Sequence, residues 1–417
     1  MEKGFTNIRS LLGAFARALN LINRDTQHHH EQTAYIAYRL AQQMGFDEDA
    51  LYVTTSAALM HDIGSVIAPE TETDRHTLVN RKQLAKIGAH MLRDIPGFEH
   101  IADIIEVNQN TYAENLALLG ECVDLDISQA LNLADFVATF LRSDIPVLNQ
   151  VKGLTRRVEG MRGDVFSPKA VDAFLAISRR ECLWMDLALN PAFLLNFTGS
   201  LREVSLNRLR TFTRLMSRVI DFRNHFTAMH SAGVAASASM LARLAGMSED
   251  EVMMMEVAGN LHDVGKLRVP GSIFEKPGRL TEEEFNIMKE HPYYTRMILD
   301  GVEGFGKIAD WASYHHEKRN GTGYPFHLTA EALDTGARIM AVTDIFSAIT
   351  EVRPYRAGMD RTQAMGVLKD GVTRGELCGR IVDLLENHYD EVDAAREAES
   401  RAVGQRYYQS LAIKNHS

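Results

Sequence analysis

Apolar residues recur every three or four positions along most of this chain, in runs of roughly 10 to 20 residues, and no sustained two-residue alternation appears. This period is typical of amphipathic helices. The sequence also predicts where some helices start, because Ser248 is followed by Glu251 and Thr281 by Glu284 in the spacing of a capping box. Gly246 ends the helix before the first of these starts. The pattern predicts an all-α fold.

The helical pattern occurs twice along the chain. One constant shift in residue number relates three pairs, namely Gly45 and Gly246, His29 and His230, and His61 and His262. Because self-similarity of this kind indicates duplicated structural units, we expect two tandem helical domains of one type. The predicted boundaries are 1–195 for the first domain, 196–220 for a connecting helix, 221–395 for the second domain and 396–417 for a C-terminal helical tail.

Composition limits the function classes. The 417 residues are 45% hydrophobic and 24% charged, which suits two or three globular domains. A net charge of −10 argues against binding to polymeric nucleic acid, which needs a basic surface. No stretch approaches the roughly 18 apolar residues of a membrane span, and the N-terminus has no signal-peptide pattern. With three cysteines far apart, we expect a cytoplasmic protein with no membrane partner.

The second repeat carries a dense set of side chains that can ligate metals. In the order H…HD…H…HH…D they are His230, His262, Asp263, His291, His315, His316 and Asp344. Imidazole and carboxylate groups suit manganese, iron or zinc, and the lack of thiolates disfavours a structural zinc site. Seven ligands exceed what one cation with an open position needs. They fit two divalent cations, which the Asp263 carboxylate could bridge.

The neighbouring side chains suit a phosphate ester. Two cations about 3.5–4 Å apart can clamp a phosphoryl group for in-line attack by water. Lys266, one turn after the His-Asp pair, would neutralise phosphate charge. Gly323 lets the backbone approach a ligand closely, and Tyr324 can stack or form a hydrogen bond. Arg353 and Arg356 offer forked donors for a second phosphate.

Residues 221–391 resemble the HD-GYP family, a branch of the HD phosphohydrolases. The matching motifs are 262–266 (HDVGK), 276–278 (KPG), 280–281 (LT), 291–292 (HP), 315–325 (HHEKRNGTGYP) and 353–356 (RPYR). The resemblance implies an all-helical domain with a di-iron or di-manganese centre that hydrolyses cyclic dinucleotides, typically cyclic di-GMP. Zinc, nickel, magnesium and cobalt are alternative metals.

The resemblance also implies roles for individual residues. Asp263 would bridge the two metals at the catalytic centre, where Lys266 also acts, and the other six ligand residues would complete the coordination. The residues that would contact substrate are Lys266, Gly323, Tyr324, Arg353 and Arg356.

Two positions depart from the family pattern. Phe226 stands where some relatives carry a glutamate that supports a third metal, so we expect two metals. Ser347 stands where relatives often have an aspartate. This leaves the guanine preference open, with hybrid cyclic GMP-AMP as the alternative to cyclic di-GMP.

The first repeat has lost part of the ligand set. It keeps the H…HD…D residues of the wider HD superfamily, which are His29, His61, Asp62 and Asp135. Leu84, Asn108 and Gln109 stand where the second repeat has histidines, so this domain cannot hold two metals. We favour a regulatory or ligand-sensing relic, and the alternative is a weak single-metal site for mononucleotide hydrolysis. Residues 28–30 (HHH) are interpreted as a fortuitous surface cluster.

The leading functional hypothesis is a phosphodiesterase that opens a cyclic dinucleotide to a linear dinucleotide, with a second cut to mononucleotides as a further step. The alternatives are a non-catalytic cyclic dinucleotide receptor and an HD-type nucleotide phosphohydrolase. The intact ligand set favours catalysis, and the GYP block favours a cyclic dinucleotide. Signalling proteins such as diguanylate cyclases are the expected protein partners.

Overall fold

The computed structural model describes residues 4–21, 28–67, 78–93, 95–189, 202–222, 229–274, 276, 278–351 and 357–414. The chain forms two compact units. The N-terminal unit comprises residues 7–203, and the C-terminal unit comprises residues 204–417 together with the first residues of the chain, up to Thr6. Within the described ranges, no helix is long and apolar enough to cross a bilayer.

The N-terminal unit is built from helices. They are α1 (Ile8–Asn20), α2 (His29–Gln43), α3 (Glu48–Met60), α4 (Leu78–Arg93), α5 (Glu99–Val107), α6 (Tyr112–Leu119), α7 (Val123–Phe140), α8 (Val147–Gly160), α9 (Pro168–Ser178) and α10 (Glu181–Leu189). A short 3₁₀ helix, Ile63–Ile67, follows α3.

The C-terminal unit is also helical. Its helices are α11 (Leu206–Phe222), α12 (His230–Leu244), α13 (Glu249–Leu261), α14 (Gly271–Phe274), α15 (Glu282–Met288), α16 (His291–Leu299), α17 (Gly306–Ser313), α18 (Thr335–Thr350), α19 (Arg361–Thr373), α20 (Gly379–Asn387) and α21 (Tyr389–Lys414). A 3₁₀ helix, Val264–Arg268, follows α13. Two short strands, β1 (Gly4–Asn7) and β2 (Glu203–Ser205), pair in a two-stranded sheet that the apolar periodicity did not predict.

The predicted all-α class is confirmed, and the predicted helix starts and the glycine that ends α12 are found in the structure. Capping boxes form at Ser248 and Thr281, where each hydroxyl accepts from the backbone N–H three residues later and the glutamate there accepts in return. Such a cap contributes about 1 kcal/mol to helix stability. Gly246 follows α12 with a φ of 79°, a left-handed conformation that glycine adopts without a steric penalty.

The same series of elements surrounds the ligand residues of each unit. Helix α2 begins at His29, and α12 begins at His230. Helices α3 and α13 both end immediately before a His-Asp pair, and a 3₁₀ helix follows each pair. The His-Asp pair therefore lies at a change of helix type in both units, where successive side chains can point toward one pocket.

Apolar packing fixes these helix ends in place. In the N-terminal unit α2 packs against α3 and α7, and Leu40 and Leu131 are fully buried. In the C-terminal unit α12 packs against α13, α18 and α21, and Leu241 and Phe346 are fully buried. Burying side chains of this size contributes about 1.5–3 kcal/mol each.

Two predicted segments overlap the elements described above. The stretch predicted as a connecting helix, 196–220, contains the unit boundary, and α11 packs on α13 within the C-terminal unit. The described part of the predicted tail, up to Lys414, belongs to α21, which packs along α12. At this contact Gly233 is closely packed, because an added Cβ would lie 2.9 Å from Ser400 Oγ and a larger residue would require that side chain to shift.

Candidate metal centre

The structure brings together all seven residues predicted as metal ligands in the C-terminal unit. They form two groups around one carboxylate: His230, His262 and Asp344 make the first group, and His291, His315 and His316 make the second. Within each group the ligand atoms lie within 4.8 Å of one another.

Asp263 lies between the two groups. Its Oδ2 is 3.2 Å from His262 Nε2 in the first group, and its Oδ1 is 3.5 Å from His291 Nε2 in the second. The side chain is 4% exposed. One buried carboxylate thus presents a different oxygen to each group, which is the arrangement that a carboxylate bridging two cations requires.

Asp344 also faces both groups. Its Oδ1 is 3.2 Å from His230 Nε2, and its Oδ2 is 3.6 Å from His316 Nδ1. Helix α18 carries this residue in its third turn, so the position of Asp344 depends on how α18 packs against α12.

Three of the histidines are oriented in the same way. The Nδ1 atoms of His262, His291 and His315 each lie 2.7 Å from the backbone carbonyl oxygen three residues earlier. A carbonyl oxygen can only accept, so Nδ1 carries a proton in each ring and Nε2 is the nitrogen that faces the pocket. Each orientation is therefore set by the helical turn that precedes the histidine.

The donor set fits divalent cations. His291 Nε2 and His315 Nε2 are 3.1 Å apart, and burial holds the pKa of both imidazoles well below the usual range, so two lone pairs face each other. Among the described residues, His262 Nε2 and Asp263 Oδ1 are buried without a hydrogen-bond partner. A cation in each group would supply the partner that these atoms lack.

The charges of the site also favour cation binding. Burial alone would raise the pKa of Asp263, but His262 and Lys266 hold it well below its usual range. Burial likewise disfavours a protonated His230, yet Asp344 and Glu351 raise its pKa to about 10. Metal binding at His230 would therefore displace a proton.

Glu351 is a buried residue that the sequence did not single out. Its Oε2 lies 3.6 Å from His230 Nδ1, on the opposite ring nitrogen from the one that faces Asp344. At this distance the carboxylate acts on the ring through its charge, and a carboxylate beside a metal-ligating histidine would make it a stronger donor. No motif marks Glu351, and only its place at the end of α18 brings it to His230.

Replacing Glu351 by glutamine is expected to weaken cation binding about 10- to 100-fold, because the amide polarises His230 less than the carboxylate does. Calorimetric titration of the metal-free protein with manganese measures this change. Glu391→Gln is a matched control, since Glu391 contacts His388, a histidine outside the ligand set, at 3.1 Å. Equal affinities in the wild type and Glu351→Gln would contradict the role.

Two further residues hold the site together, namely Thr295, which sequence reasoning missed, and Gly265, which it named only as part of the 262–266 motif. Thr295 Oγ1 donates to the backbone oxygen of His262 and accepts from Gly265 N–H, which ties the His-Asp turn to α16. An added Cβ at Gly265 would lie 2.0 Å from the backbone oxygen of His291, so this approach requires glycine. In the sequence, only the glycine two residues after Asp263 indicated this close approach.

Glu317 anchors the loop that follows the paired histidines. Its two carboxylate oxygens accept from Phe326 N–H at 2.7 Å and Leu328 N–H at 2.8 Å, and the side chain is buried. Gly323 packs against the same point, since an added Cβ would lie 2.5 Å from Glu317 Cα. The close approach that we expected between Gly323 and a ligand is thus, in this structure, an approach to the chain's own backbone.

The predicted substrate contacts are described only in part. Lys266 Nζ donates to Asp263 Oδ2 at 2.6 Å, and the Tyr324 ring lies 4.8 Å from the His316 ring. Both side chains are therefore at the candidate metal centre. Arg353, Arg356 and Phe226 lie outside the described residues.

In the N-terminal unit the four retained residues also converge. His29 Nε2 lies 3.1 Å from Asp135 Oδ1 and 3.3 Å from His61 Nε2, which is itself 3.3 Å from Asp62 Oδ2. Around a single cation with bonds of about 2.0–2.1 Å, tetrahedral ligands are separated by roughly 3.3–3.4 Å. His61 Nδ1 is held by the oxygen of Ala58 at 2.8 Å, as in the C-terminal unit.

The structure supports the predicted equivalence of the substituted positions. An added Cβ at Gly64 would lie 2.0 Å from the backbone oxygen of Leu84, the relation that Gly265 has with His291. Gln109 Nε2 donates to Asp135 Oδ2 at 3.0 Å, much as His316 faces Asp344. Leu84 and Gln109 therefore occupy the places of two candidate ligands, His291 and His316.

The interpretation of residues 28–30 as a surface cluster was wrong for two of the three histidines. His29 and His30 are buried, and only His28 is exposed. His30 Nδ1 lies 2.6 Å from Asn20 Oδ1, and burial together with the neighbouring His61 lowers its pKa to about 3. His30 is therefore a neutral side chain packed beside the retained ligands.

Comparison with known proteins agrees with this geometry. The HD domain family matches residues 26–135 and, in a second form, residues 214–375. The 3′3′-cGAMP-specific phosphodiesterase 1 of Vibrio cholerae is 27% identical over 94% of each chain. The cyclic di-GMP phosphodiesterase response regulator RpfG of Xanthomonas campestris is 39% identical over 45% of this chain and 50% of its own.

A solved structure shares the fold. The cyclic GMP-AMP-specific phosphodiesterase V-cGAP3 of Vibrio cholerae superposes with a TM-score of 0.64 at 19% identity, covering 92% of this chain and 98% of that one. Two HD domains in tandem thus define the class of this protein. More narrowly, the paired histidines and the GYP block of the second domain mark its branch, and the chain belongs to the HD-GYP family.

Proposed function

We propose that the C-terminal unit hydrolyses the phosphodiester bonds of a cyclic dinucleotide with two divalent cations. The main support is Asp263, whose two oxygens face two separate groups of ligands. Iron or manganese suits the imidazole and carboxylate donors. When bound, a pair of such cations polarises a phosphoryl group and lowers the pKa of water.

The chain's own residues would bind and orient the substrate. Lys266 carries a positive charge beside Asp263, where an incoming phosphate can compete for its ammonium group. Burial and the nearby Asp344 raise the pKa of Tyr324, so its hydroxyl stays protonated and can donate to a phosphate or ribose oxygen. Arg353 and Arg356 are proposed as contacts for the second phosphate.

We propose the hybrid cyclic GMP-AMP as the preferred substrate, with cyclic di-GMP as the alternative. The relative named as specific for 3′3′-cGAMP matches both repeats, over 94% of this chain, whereas the cyclic di-GMP phosphodiesterase RpfG matches 45% of it. Ser347, where an aspartate is common in the family, accords with a weakened guanine preference. The proposed products are a linear dinucleotide and then mononucleotides.

A substrate panel tests the proposal. The manganese- or iron-loaded protein is incubated with cyclic di-GMP, cyclic di-AMP and 3′3′-cyclic GMP-AMP, and the products are identified chromatographically. We expect ring opening, fastest with the hybrid. Tight binding without turnover would favour the receptor alternative, and cleavage of mononucleotides alone would favour a nucleotide phosphohydrolase.

For the N-terminal unit we propose a single divalent cation held by His29, His61, Asp62 and Asp135. The support is the spacing of their ligand atoms and the buried, ionised carboxylate of Asp135, whose pKa is held low by His29 and His61 despite burial. We expect Asp62→Asn to lower the metal content by one equivalent per chain while leaving cyclic dinucleotide hydrolysis in place. Unchanged metal content would favour the metal-free regulatory relic.

A further inference from the structure

Helix α15 places an exposed aromatic ring beside the candidate metal centre. None of the residues of α15 is buried, and the Phe285 side chain is 44% exposed. A single exposed apolar side chain is common on protein surfaces. Phe285 is distinguished by its contact with Tyr324 of the GYP loop.

The exposed ring is the outer end of a row of aromatic contacts that starts at a metal-ligand residue. The His316 and Tyr324 rings lie 4.8 Å apart with an interplanar angle of 35°. The Tyr324 and Phe285 rings lie 6.0 Å apart at 81°. Phe285 is thus two ring contacts away from His316, at the point where the row reaches solvent.

A cyclic dinucleotide has the matching chemistry. Each phosphate of its ring lies between two nucleosides, so a phosphate held at the metal centre brings purine bases close to the surrounding side chains. Aromatic side chains bind such bases by stacking, whatever the identity of the base. Lys289 Nζ lies 5.3 Å from the centre of the Phe285 ring, which adds a positive charge beside the anionic substrate.

We propose that Phe285, supported by Tyr324, is a stacking surface for a purine base of the substrate. The inference rests on the proposed function, since it assigns Phe285 to the same cyclic dinucleotide. Stacking would strengthen binding without taking part in the cleavage step. It would also tolerate both guanine and adenine, because each base has an aromatic face.

Steady-state kinetics and binding on full-length, manganese-loaded protein test the role. Phe285→Ala is expected to raise KM for 3′3′-cyclic GMP-AMP about 5- to 100-fold with little change in kcat. Calorimetry is expected to show weaker binding of GMP by a similar factor, with binding of inorganic phosphate unchanged. Phe285→Trp should restore both values, whereas Phe285→Leu, which keeps apolar bulk without a ring, should not.

Met297→Ala is the matched control, because it removes another exposed apolar side chain, 54% exposed, from the neighbouring α16. Equal losses of GMP and phosphate binding in Phe285→Ala, or full recovery with Phe285→Leu, would overturn the stacking role. Unchanged KM and GMP binding in Phe285→Ala would overturn it as well. If the wild type opens no cyclic dinucleotide yet GMP binding depends on Phe285, the proposed function fails and the stacking surface stands.

Discussion

Replacing Asp263 by asparagine is expected to lower cyclic dinucleotide hydrolysis about 1,000-fold or more, a loss of about 4 kcal/mol of transition-state stabilisation. This buried carboxylate lies between the two ligand groups and presents a separate oxygen to each of them. An amide retains the shape but presents only one oxygen and no negative charge. Turnover of the manganese-loaded variant, with metal content measured by mass spectrometry, checks the result.

The control for this variant is Asp383→Asn, which removes an exposed carboxylate from α20. It should leave both turnover and metal content unchanged. Turnover near the wild-type level in Asp263→Asn would refute the bridging role. Loss of turnover with unchanged metal content would point to a role in substrate positioning instead.

The double substitution His315→Asn/His316→Gln is expected to abolish detectable hydrolysis and to remove one cation per chain. It gives the C-terminal unit the amide pair that the N-terminal unit carries at Asn108 and Gln109. Amide side chains are poor ligands for manganese or iron compared with imidazole. The cation that would depend on these two histidines should therefore be lost, while the group containing His230 keeps its ligands.

The N-terminal unit carries the same amide pair within a folded domain, and Gln109 donates to Asp135 at 3.0 Å. The buried amide of Asn108 has no hydrogen-bond partner among the described residues there, so we expect the doubly substituted protein to fold with reduced stability. Circular dichroism and thermal unfolding check this. His327→Asn is the control: this histidine is exposed with a φ of 55°, which asparagine tolerates. Two cations retained in the C-terminal unit of the double variant would show that the paired histidines are dispensable for binding.

Much of the ligand set could be predicted from the sequence because metal chemistry depends on residue type. Imidazole and carboxylate side chains are the donors, and a His-Asp pair recurring at a constant shift exposed the duplication. The same comparison predicted which positions of the first repeat were substituted, and the backbone contacts of Gly64 and Gly265 support that equivalence. Helix starts could also be predicted, because the capping boxes at Ser248 and Thr281 depend only on residues three positions apart.

Other parts of the site could not be predicted, because they depend on contacts between distant segments. Glu351 reaches His230 only through the packing of α18 against α12. Glu317 follows the paired histidines in the sequence, but the two hydrogen bonds that it accepts from the loop backbone form only in the folded chain. Phe285 had no motif of its own, and its contact with Tyr324 arises from where α15 lies.

The sequence by itself determined the helical class, the duplication and the set of candidate metal-ligand side chains, because these depend on apolar periodicity and on which residue types can donate to a metal. Tertiary structure decided which oxygen of Asp263 faces which histidine, how each ring is turned and which carboxylate supports His230. These features depend on distances of a few ångströms between helices that are far apart in the chain. Only the packing of their apolar faces sets such distances.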